Sequence, residues 1–186
     1  MIKTPIVFEN IIIKDNASKI IDYINNHTSD FGELGSDYWQ GRVIHIPQIR
    51  DKNIVDIIKD GKNYMLQEFV KILNLDRPVY VDTLHLVRWT EGYELRPHAD
   101  SEEPDGKQHQ FYWRDFGTVT FLNEDFEGGI LYYPNKENLQ VPAKIGYSAI
   151  HDGTMNCLHG VSKITKGVRY TIASFLTFDK NHAYDI

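Results

Sequence analysis

From Val79 onward, apolar and polar residues alternate in short runs, which is the pattern of half-buried β-strands. The first run covers residues 79–89, and one face of the predicted strand would carry Val79, Val81, Thr83, His85, Val87 and Trp89. The opposite face would carry Tyr80, Asp82, Leu84, Leu86 and Arg88. Gly, Pro and Asn turn signals separate further strands, which we predict at 117–123, 129–133, 145–150 and 168–178.

Ahead of this β-rich part the pattern becomes helical. Residues 6–8 and 11–13 are apolar and predict short strand pieces. Asp15 or Asn16 can cap a helix that follows, because apolar residues then recur at helical spacing at Ile20, Ile21 and Ile24.

A second helix is predicted from about Asn53 to Leu73. Apolar residues recur there at three- and four-residue steps, at Ile54, Ile58, Met65, Phe69 and Leu73. Gly61 lies inside this pattern and predicts a bend or a break between two shorter helices. Both helices are expected to support the outside of a sheet, and we assign them no chemistry.

The segment from Asp30 to Arg50 is rich in Gly, Ser and aromatic residues and has no clear period. Its notable residues are Tyr38, Trp39 and Arg42. Two interpretations stay open: the aromatic side chains pack this loop onto the sheet, or the loop forms one wall of a substrate cleft.

Two helices followed by many short strands predict a mainly β protein, with a jelly-roll-type barrel and supporting helices. With 186 residues the chain is most simply one domain, long enough to bury a full core. Within the single domain 1–186, residues 1–78 would supply helical support and a substrate-side loop, and residues 79–178 the β core.

Composition restricts the partners and the compartment. The formal net charge of −6 argues against a nucleic-acid partner, because phosphate contacts usually need a basic face. Cys157 is the single cysteine, so no intrachain disulfide can form and a reducing compartment fits best. The N-terminus lacks a signal-peptide hydrophobic region, and no apolar run could span a bilayer. We expect a cytoplasmic protein without a membrane partner, and the sequence leaves the oligomeric state open.

The candidate chemistry lies in His98, Asp100 and His159. Residues i and i+2 of a strand point the same way, so His98 and Asp100 can hold one metal together, with His159 brought in from another strand. Two imidazoles and one carboxylate can occupy one face of an octahedral Fe(II), as in non-haem iron oxygenases that activate O2. Arg169, ten residues after His159, is placed to bind a carboxylate.

These residues resemble the motifs of the prolyl 4-hydroxylase-like branch of the 2-oxoglutarate/Fe(II) oxygenases. The matching segments are 88–92, 97–100, 120–123, 126–129, 142–146, 159–161 and 167–170. The resemblance implies a double-stranded β-helix fold and Fe(II) held by His98, Asp100 and His159. It implies 2-oxoglutarate as cosubstrate and admits ascorbate as an auxiliary reductant. It also implies hydroxylation of an unactivated C–H bond, with a peptidyl proline as the leading substrate.

The resemblance assigns the distal carboxylate of 2-oxoglutarate to Arg169. Thr171 and Ala173 share a strand face with Arg169 and would leave room for the cosubstrate. The Thr171 hydroxyl could donate a hydrogen bond to it, although strand propensity alone also explains a threonine there. Trp89 and Phe121 stand where relatives often have Tyr, so both change the contacts expected with the cosubstrate and put prolyl specificity in doubt.

Three other positions separate branches of the family. His151 competes with His159 as the distal ligand, but His159-Gly-Val and its distance from Arg169 match the family pattern. Asp100 favours hydroxylation, because halogenating members have a small residue there. Nucleic-acid demethylases carry a second Arg six residues after the first, where this chain has Phe175, so nucleobase repair is not expected.

The segment from Ser101 to Asp115 follows the His-x-Asp pair and is expected to cover the metal as a lid or a substrate loop. Tyr112, Trp113 and Arg114 are the candidate substrate contacts; alternatively, they anchor the loop.

Two other functions stay open. The first is hydroxylation of a free amino acid or another small molecule, which Trp89 and Phe121 make a serious rival to the leading substrate, a peptidyl proline. The second is a non-catalytic jelly-roll module that binds a metal and turns nothing over, since one fold can host many activities.

Overall fold

The computed structural model describes residues 4–31 and 41–184, which form two antiparallel sheets, a short ribbon and two α-helices. The strands are β1 Ile6–Phe8, β2 Val43–His45, β3 Tyr80–Thr90, β4 Leu95–His98, β5 Phe116–Phe121, β6 Glu127–Gly128, β7 Leu131–Tyr133, β8 Leu139–Val141, β9 Ser148–Asp152, β10 His159–Val161, β11 Ile164–Lys166 and β12 Val168–Thr177.

Tyr38 and Trp39, two notable residues of the segment from Asp30 to Arg50, lie outside the described residues. Arg42 packs over the Tyr93 ring, with its Cζ 3.5 Å from the ring centroid.

The larger sheet has the strand order β1-β9-β5-β12-β3-β2, and the smaller sheet has the order β4-β10-β7-β8. β11 and β6 form the two-stranded ribbon. Neighbouring strands are antiparallel in all of them. Side chains of both sheets meet in one buried apolar cluster that includes Trp89, Phe121, Leu131, Tyr133 and Val161. This arrangement confirms the predicted mainly β, jelly-roll architecture.

The helices α1 (Lys14–Asn26) and α2 (Lys52–Leu73) support the larger sheet, as predicted. A second buried cluster joins them to it and includes Ile20, Ile24, Ile58, Phe69, Leu86, Phe116 and Ile172. Asp51 caps α2, because its side chain accepts hydrogen bonds from the backbone N–H groups of Asn53 (2.9 Å) and Ile54 (3.4 Å). Among the described residues, neither helix is long and apolar enough to cross a membrane.

The predicted start of α1 is wrong. The helix begins at Lys14 with Ile13 in the N-cap position, so Asp15 lies inside the first turn and neither Asp15 nor Asn16 is the cap. The predicted strand at 11–13 is also absent from the described elements. The backbone N–H of Ile11 instead donates to the Gly146 carbonyl (2.9 Å), which holds this segment against the turn that precedes β9.

Gly61 does not break α2, which continues through it. A Cβ at this position would lie 3.0 Å from the Ile11 carbonyl oxygen and 3.1 Å from a side-chain carbon of Ile12. The glycine therefore allows the segment before α1 to approach the helix closely, and this packing reason replaces the predicted bend.

The strict alternation predicted for 79–89 fails near the start of β3. In the pairing of β3 with β12, Asp82 is an extra residue between Val81 and Thr83, which makes a β-bulge. Val81 consequently packs in the cluster under the helices, whereas Trp89 faces the smaller sheet. The bulge shifts the alternation by one residue, so the two side chains do not share a face.

Four other strands were predicted near their observed positions, with shifted ends. The strand predicted at 145–150 begins at Ser148, because Gly146 adopts a φ of +79° in the preceding turn. The strand piece predicted at 6–8 is confirmed as β1. Other strands of two to four residues, such as β4 and β10, lay outside the predicted ranges, since so few residues carry little periodicity.

We expect Ile58→Ala to lower the free energy of unfolding by about 2–5 kcal/mol, because a cavity would replace a side chain that is 1% exposed. Ile72→Ala in the same helix is the matched control, since Ile72 is 56% exposed and its truncation should cost less than about 0.5 kcal/mol. Urea unfolding followed by circular dichroism measures both changes. Equal losses in the two variants would contradict the packing of α2 on the sheet.

Candidate metal centre

The paired strands β4 and β10 bring His98 and His159 together, and Asp100 joins them because it lies two residues after the end of β4. His98 is the last residue of β4, His159 is the first of β10, and the two residues are partners across the antiparallel pair. The Nε2 atoms of His98 and His159 each lie 3.7 Å from Asp100 Oδ1. One potential ligand atom from each of the three residues lies within 4.8 Å of the others, so the cluster could hold a metal ion.

Backbone carbonyls orient both imidazoles. His98 Nδ1 lies 3.0 Å from the Arg96 carbonyl oxygen, and His159 Nδ1 lies 3.4 Å from the Cys157 carbonyl oxygen. A carbonyl can only accept, so each Nδ1 carries the hydrogen and each Nε2 presents a lone pair toward Asp100. The sequence could not identify these acceptors, because each is a main-chain group rather than a side chain.

The protonation states suit metal binding. Burial lowers the pKa of His159 well below its usual value, and His151 adds to this effect, so the imidazole stays neutral. Burial by itself raises the pKa of Asp100, but His159 and the His151 hydrogen bond outweigh it and hold that pKa below its usual range. Two imidazoles and one carboxylate form the donor set that suits Fe(II) with open coordination positions.

In the sequence, His151 is an alternative to His159 as a metal ligand, whereas the structure places His151 beside the Asp100 carboxylate. Its Nε2 lies 3.3 Å from Asp100 Oδ2, behind the carboxylate, and its ring lies 3.8 Å from the His159 ring. It does not belong to the ligand cluster found among the described residues, which contains His98, Asp100 and His159. The strand β9 places His151 there, and no local sequence pattern gave that position.

A cavity of about 70 Å³ extends from the three residues into the space between the sheets. The three candidate ligands line it together with Trp89, Arg169 and Thr171. Arg169 is 2% exposed, and its Cζ lies 5.4 Å from the Trp89 ring and 5.1 Å from the Phe121 ring. Arg169, Thr171 and the small Ala173 alternate along one face of β12, as predicted, and all three line the cavity. Phe121 contacts Arg169 from the neighbouring strand β5.

The three candidate substrate contacts occupy different surroundings. The Arg114 guanidinium is buried, with its Nε 2.8 Å from Asp82 Oδ2. Trp113 stacks on His182 at 3.8 Å between ring centroids, and Tyr112 is 56% exposed. Among the described residues, those that line the cavity beside the candidate ligands do not include any of the three.

Arg114 has the contacts of a loop anchor. Its Cζ lies 3.7 Å from the ring centroids of both Phe111 and Phe175, and its ion pair reaches the bulge residue Asp82. The pKa of Arg114 lies below its usual value because the guanidinium is buried. The hydrogen bond to Asp82 and the charge of that carboxylate offset only part of this lowering. These contacts favour the anchoring alternative for Arg114, whereas the exposed Tyr112 remains open to a partner.

Comparison with known proteins identifies relatives in sequence and in fold. No family model matches the chain. Human prolyl 3-hydroxylase 1 is 29% identical over 137 residues, which cover 59% of this chain and 18% of that protein. The chain therefore spans less than a fifth of the length of this curated relative.

Solved structures share the fold across nearly the whole chain. The viral collagen prolyl hydroxylase from Paramecium Bursaria Chlorella virus-1, solved as a 2OG complex, aligns with a TM-score of 0.68 and 14% identity over 96% of this chain and 97% of that chain. A Trichoplax adhaerens prolyl hydroxylase, in complex with a hypoxia inducible factor oxygen degradation domain peptide fragment, aligns with a TM-score of 0.72 and 14% identity over 96% and 85%. The resemblance to prolyl hydroxylases and the jelly-roll fold predicted from the sequence are thus confirmed.

We expect Arg114→Met to lower the free energy of unfolding by about 3–5 kcal/mol, because it leaves the Asp82 carboxylate, whose side chain is only 10% exposed, without its cation. Lys52→Met is the control, since it removes an exposed ion pair with Asp56 and should cost less than about 1 kcal/mol. Urea unfolding measures both. Adding Asp82→Asn to Arg114→Met should restore part of the loss. A loss no greater than that of the control would show that Arg114 does not anchor the loop.

Proposed function

We propose that this protein is a 2-oxoglutarate- and Fe(II)-dependent dioxygenase that hydroxylates an unactivated C–H bond. The observation that carries the proposal is the union of His98, Asp100 and His159 at one cavity with the buried Arg169. A metal ligand set that leaves coordination positions open, next to a buried guanidinium, suits a chelating cosubstrate with a second carboxylate. The likeness in sequence and fold to prolyl hydroxylases supports the same activity.

The chemistry balances as oxidation of the substrate C–H bond to C–OH, with O2 reduced and 2-oxoglutarate converted to succinate and CO2. Fe(II), when bound, supplies the redox chemistry that an organic side chain cannot. His98, Asp100 and His159 would hold it through two Nε2 atoms and Oδ1. Arg169 would bind the distal carboxylate of 2-oxoglutarate and fix the direction in which the cosubstrate enters the cavity.

The cavity wall would complete the cosubstrate site. Trp89 can donate through its indole N–H, and Thr171 through its hydroxyl, whereas Phe121 can only pack against the Arg169 guanidinium. Apolar side chains, among them Val87, Leu95 and Val161, line the same cavity and would exclude water from the reacting atoms.

A prolyl residue of a peptide is the proposed substrate. The curated relative is named a prolyl 3-hydroxylase, and one structural neighbour was solved with a peptide fragment. The ring carbon that is hydroxylated stays outside the proposal, because sequence relatives and structural neighbours carry names for different positions. The net charge of −6 disfavours a nucleic-acid substrate, and the single buried Cys157 fits a reducing compartment such as the cytoplasm.

The first test is an anaerobic titration with Fe(II) and 2-oxoglutarate, observed through the visible charge-transfer band of their chelate. We expect the wild-type protein to develop the band and His98→Ala to lose it, because one of three ligands is removed. His27→Ala, at the C-terminal end of α1, is a histidine control that should keep the band. If folded wild-type protein binds Fe(II) but develops no band, a non-catalytic metal-binding module replaces the oxygenase.

The second test concerns Arg169. We expect Arg169→Leu to weaken 2-oxoglutarate binding at saturating Fe(II) by more than tenfold, because a charge-assisted hydrogen bond is worth roughly 1.5–3 kcal/mol. The exposed Arg50→Leu is the matched control and should bind like wild type. Unchanged cosubstrate binding in Arg169→Leu would exclude this residue from the site.

Succinate formation with proline-containing peptides, free proline and a peptide without proline separates a peptidyl substrate from a free amino acid.

A further inference from the structure

His151 and Tyr133 form a buried hydrogen-bonded chain that ends on Asp100. The ring of His151 is 1% exposed, and its Nε2 lies 3.3 Å from Asp100 Oδ2. On the other side of the ring, Nδ1 lies 3.0 Å from the Tyr133 hydroxyl oxygen, which belongs to a fully buried side chain. The two contacts engage both nitrogens of the imidazole.

The direction of these hydrogen bonds follows from the chemistry of the end groups. An ionised carboxylate only accepts, so His151 Nε2 must carry a hydrogen and donate it to Asp100. Burial raises the pKa of Tyr133 well above its usual value, so its hydroxyl keeps a hydrogen to donate to Nδ1. Tyr133 thus fixes the tautomer in which His151 donates to Asp100.

Gly117 provides the space for this contact. It lies opposite His151 in the pairing of β5 with β9. A Cβ at Gly117 would lie 2.3 Å from Asp100 Oδ2 and 2.4 Å from His151 Nε2, so any other residue would collide with both partners. The backbone of β5 is therefore matched to the hydrogen bond, which indicates that the contact is a specific feature of the site.

The two oxygens of Asp100 have separate surroundings. Oδ1 faces the Nε2 atoms of His98 and His159, each at 3.7 Å, whereas Oδ2 faces His151. Each carboxylate oxygen has two lone pairs, and the hydrogen bond from His151 occupies one of those on Oδ2, so Oδ1 is the oxygen better placed to coordinate a metal. A second coordinating oxygen would occupy a position that a chelating cosubstrate or O2 needs.

We propose that His151, oriented by Tyr133, is a positioning residue that restricts Asp100 to coordination through Oδ1 and so keeps one further metal position open. This inference rests on the proposed function, because it concerns the same metal. It assigns His151 a role toward the carboxylate ligand rather than toward the metal. Outer hydrogen-bond partners of metal ligands commonly change metal affinity or activity by about tenfold to hundredfold when they are removed.

The experiment is the anaerobic titration of the 186-residue chain with 2-oxoglutarate at saturating Fe(II), read from the charge-transfer band. We expect His151→Phe, which keeps a ring but cannot donate, to raise the concentration for half-maximal band by about tenfold or more. His151→Gln keeps an N–H donor and should recover most of this loss. His27→Phe is the matched control and should bind like wild type.

Two variants test the same hydrogen bond without touching His151. Gly117→Ala should reproduce the loss, because the added methyl group separates Asp100 from His151. Tyr133→Phe removes a single hydroxyl and should give a smaller loss, since His151 can then adopt either tautomer. Both remain informative if His151→Phe does not fold, and thermal unfolding of each metal-free protein identifies a variant that has only lost stability.

The outcomes separate this inference from the proposed function. Loss in His151→Phe and Gly117→Ala with recovery in His151→Gln supports the positioning role. A wild-type band that is unchanged in folded His151→Phe, or in folded Gly117→Ala, overturns it and leaves the proposed function intact. Equal losses in His151→Phe and His151→Gln overturn it as well, because a role in hydrogen bonding requires the donor to matter. Absence of the band in wild type instead contradicts the proposed function.

Discussion

The pairing of β4 with β10 is the constraint on which the candidate site depends. It places His98 directly opposite His159, so two imidazoles enter the same space from neighbouring strands. Asp100, two residues after His98, then lies against both Nε2 atoms. The backbone N–H groups of Asp100 and Ser101 both donate to the Gly153 carbonyl, at 2.8 and 2.9 Å, which holds the carboxylate residue in place after its strand has ended. A metal site built in this way is positioned by main-chain hydrogen bonds more than by loop conformation.

The larger sheet supplies the opposite wall of the cavity. β12 lies between β3 and β5 and pairs with both along most of its length, so Arg169 and Thr171 are carried by a strand with neighbours on both sides. The helices cover the outer face of this sheet and remove its apolar side chains from water. The smaller sheet therefore carries the imidazoles of His98 and His159, and the larger sheet carries the guanidinium of Arg169.

Around Arg169 and Arg114 the chain uses aromatic rings to bury guanidinium groups. Trp89 and Phe121 flank Arg169, and Phe111 and Phe175 flank Arg114. A guanidinium is weakly hydrated and packs well on ring faces, which reduces the cost of burying its charge. Trp89 and Phe121, which stand where the resemblance leads us to expect Tyr, are therefore compatible with the proposed cosubstrate site.

The sequence by itself determined the mainly β class with helical support, the existence of α2, most long strands and the grouping of His98, Asp100, His159 and Arg169. The class, α2 and the strands follow from periodicity, which is a local property of the chain, whereas the grouping of the four site residues follows from the order of their motifs and the resemblance to oxygenases. It did not determine the bulge at Asp82, the start of α1, the packing role of Gly61 or the buried place of Arg114, because each depends on a neighbour that is remote in sequence.

Only the tertiary structure places His151 against the Asp100 carboxylate and outside the cluster of His98, Asp100 and His159. His151 is 51 positions from Asp100 and 18 positions from Tyr133 in the sequence, yet it contacts both side chains. Strand pairing sets such distances, and a hydrogen bond of this length tolerates little error in register.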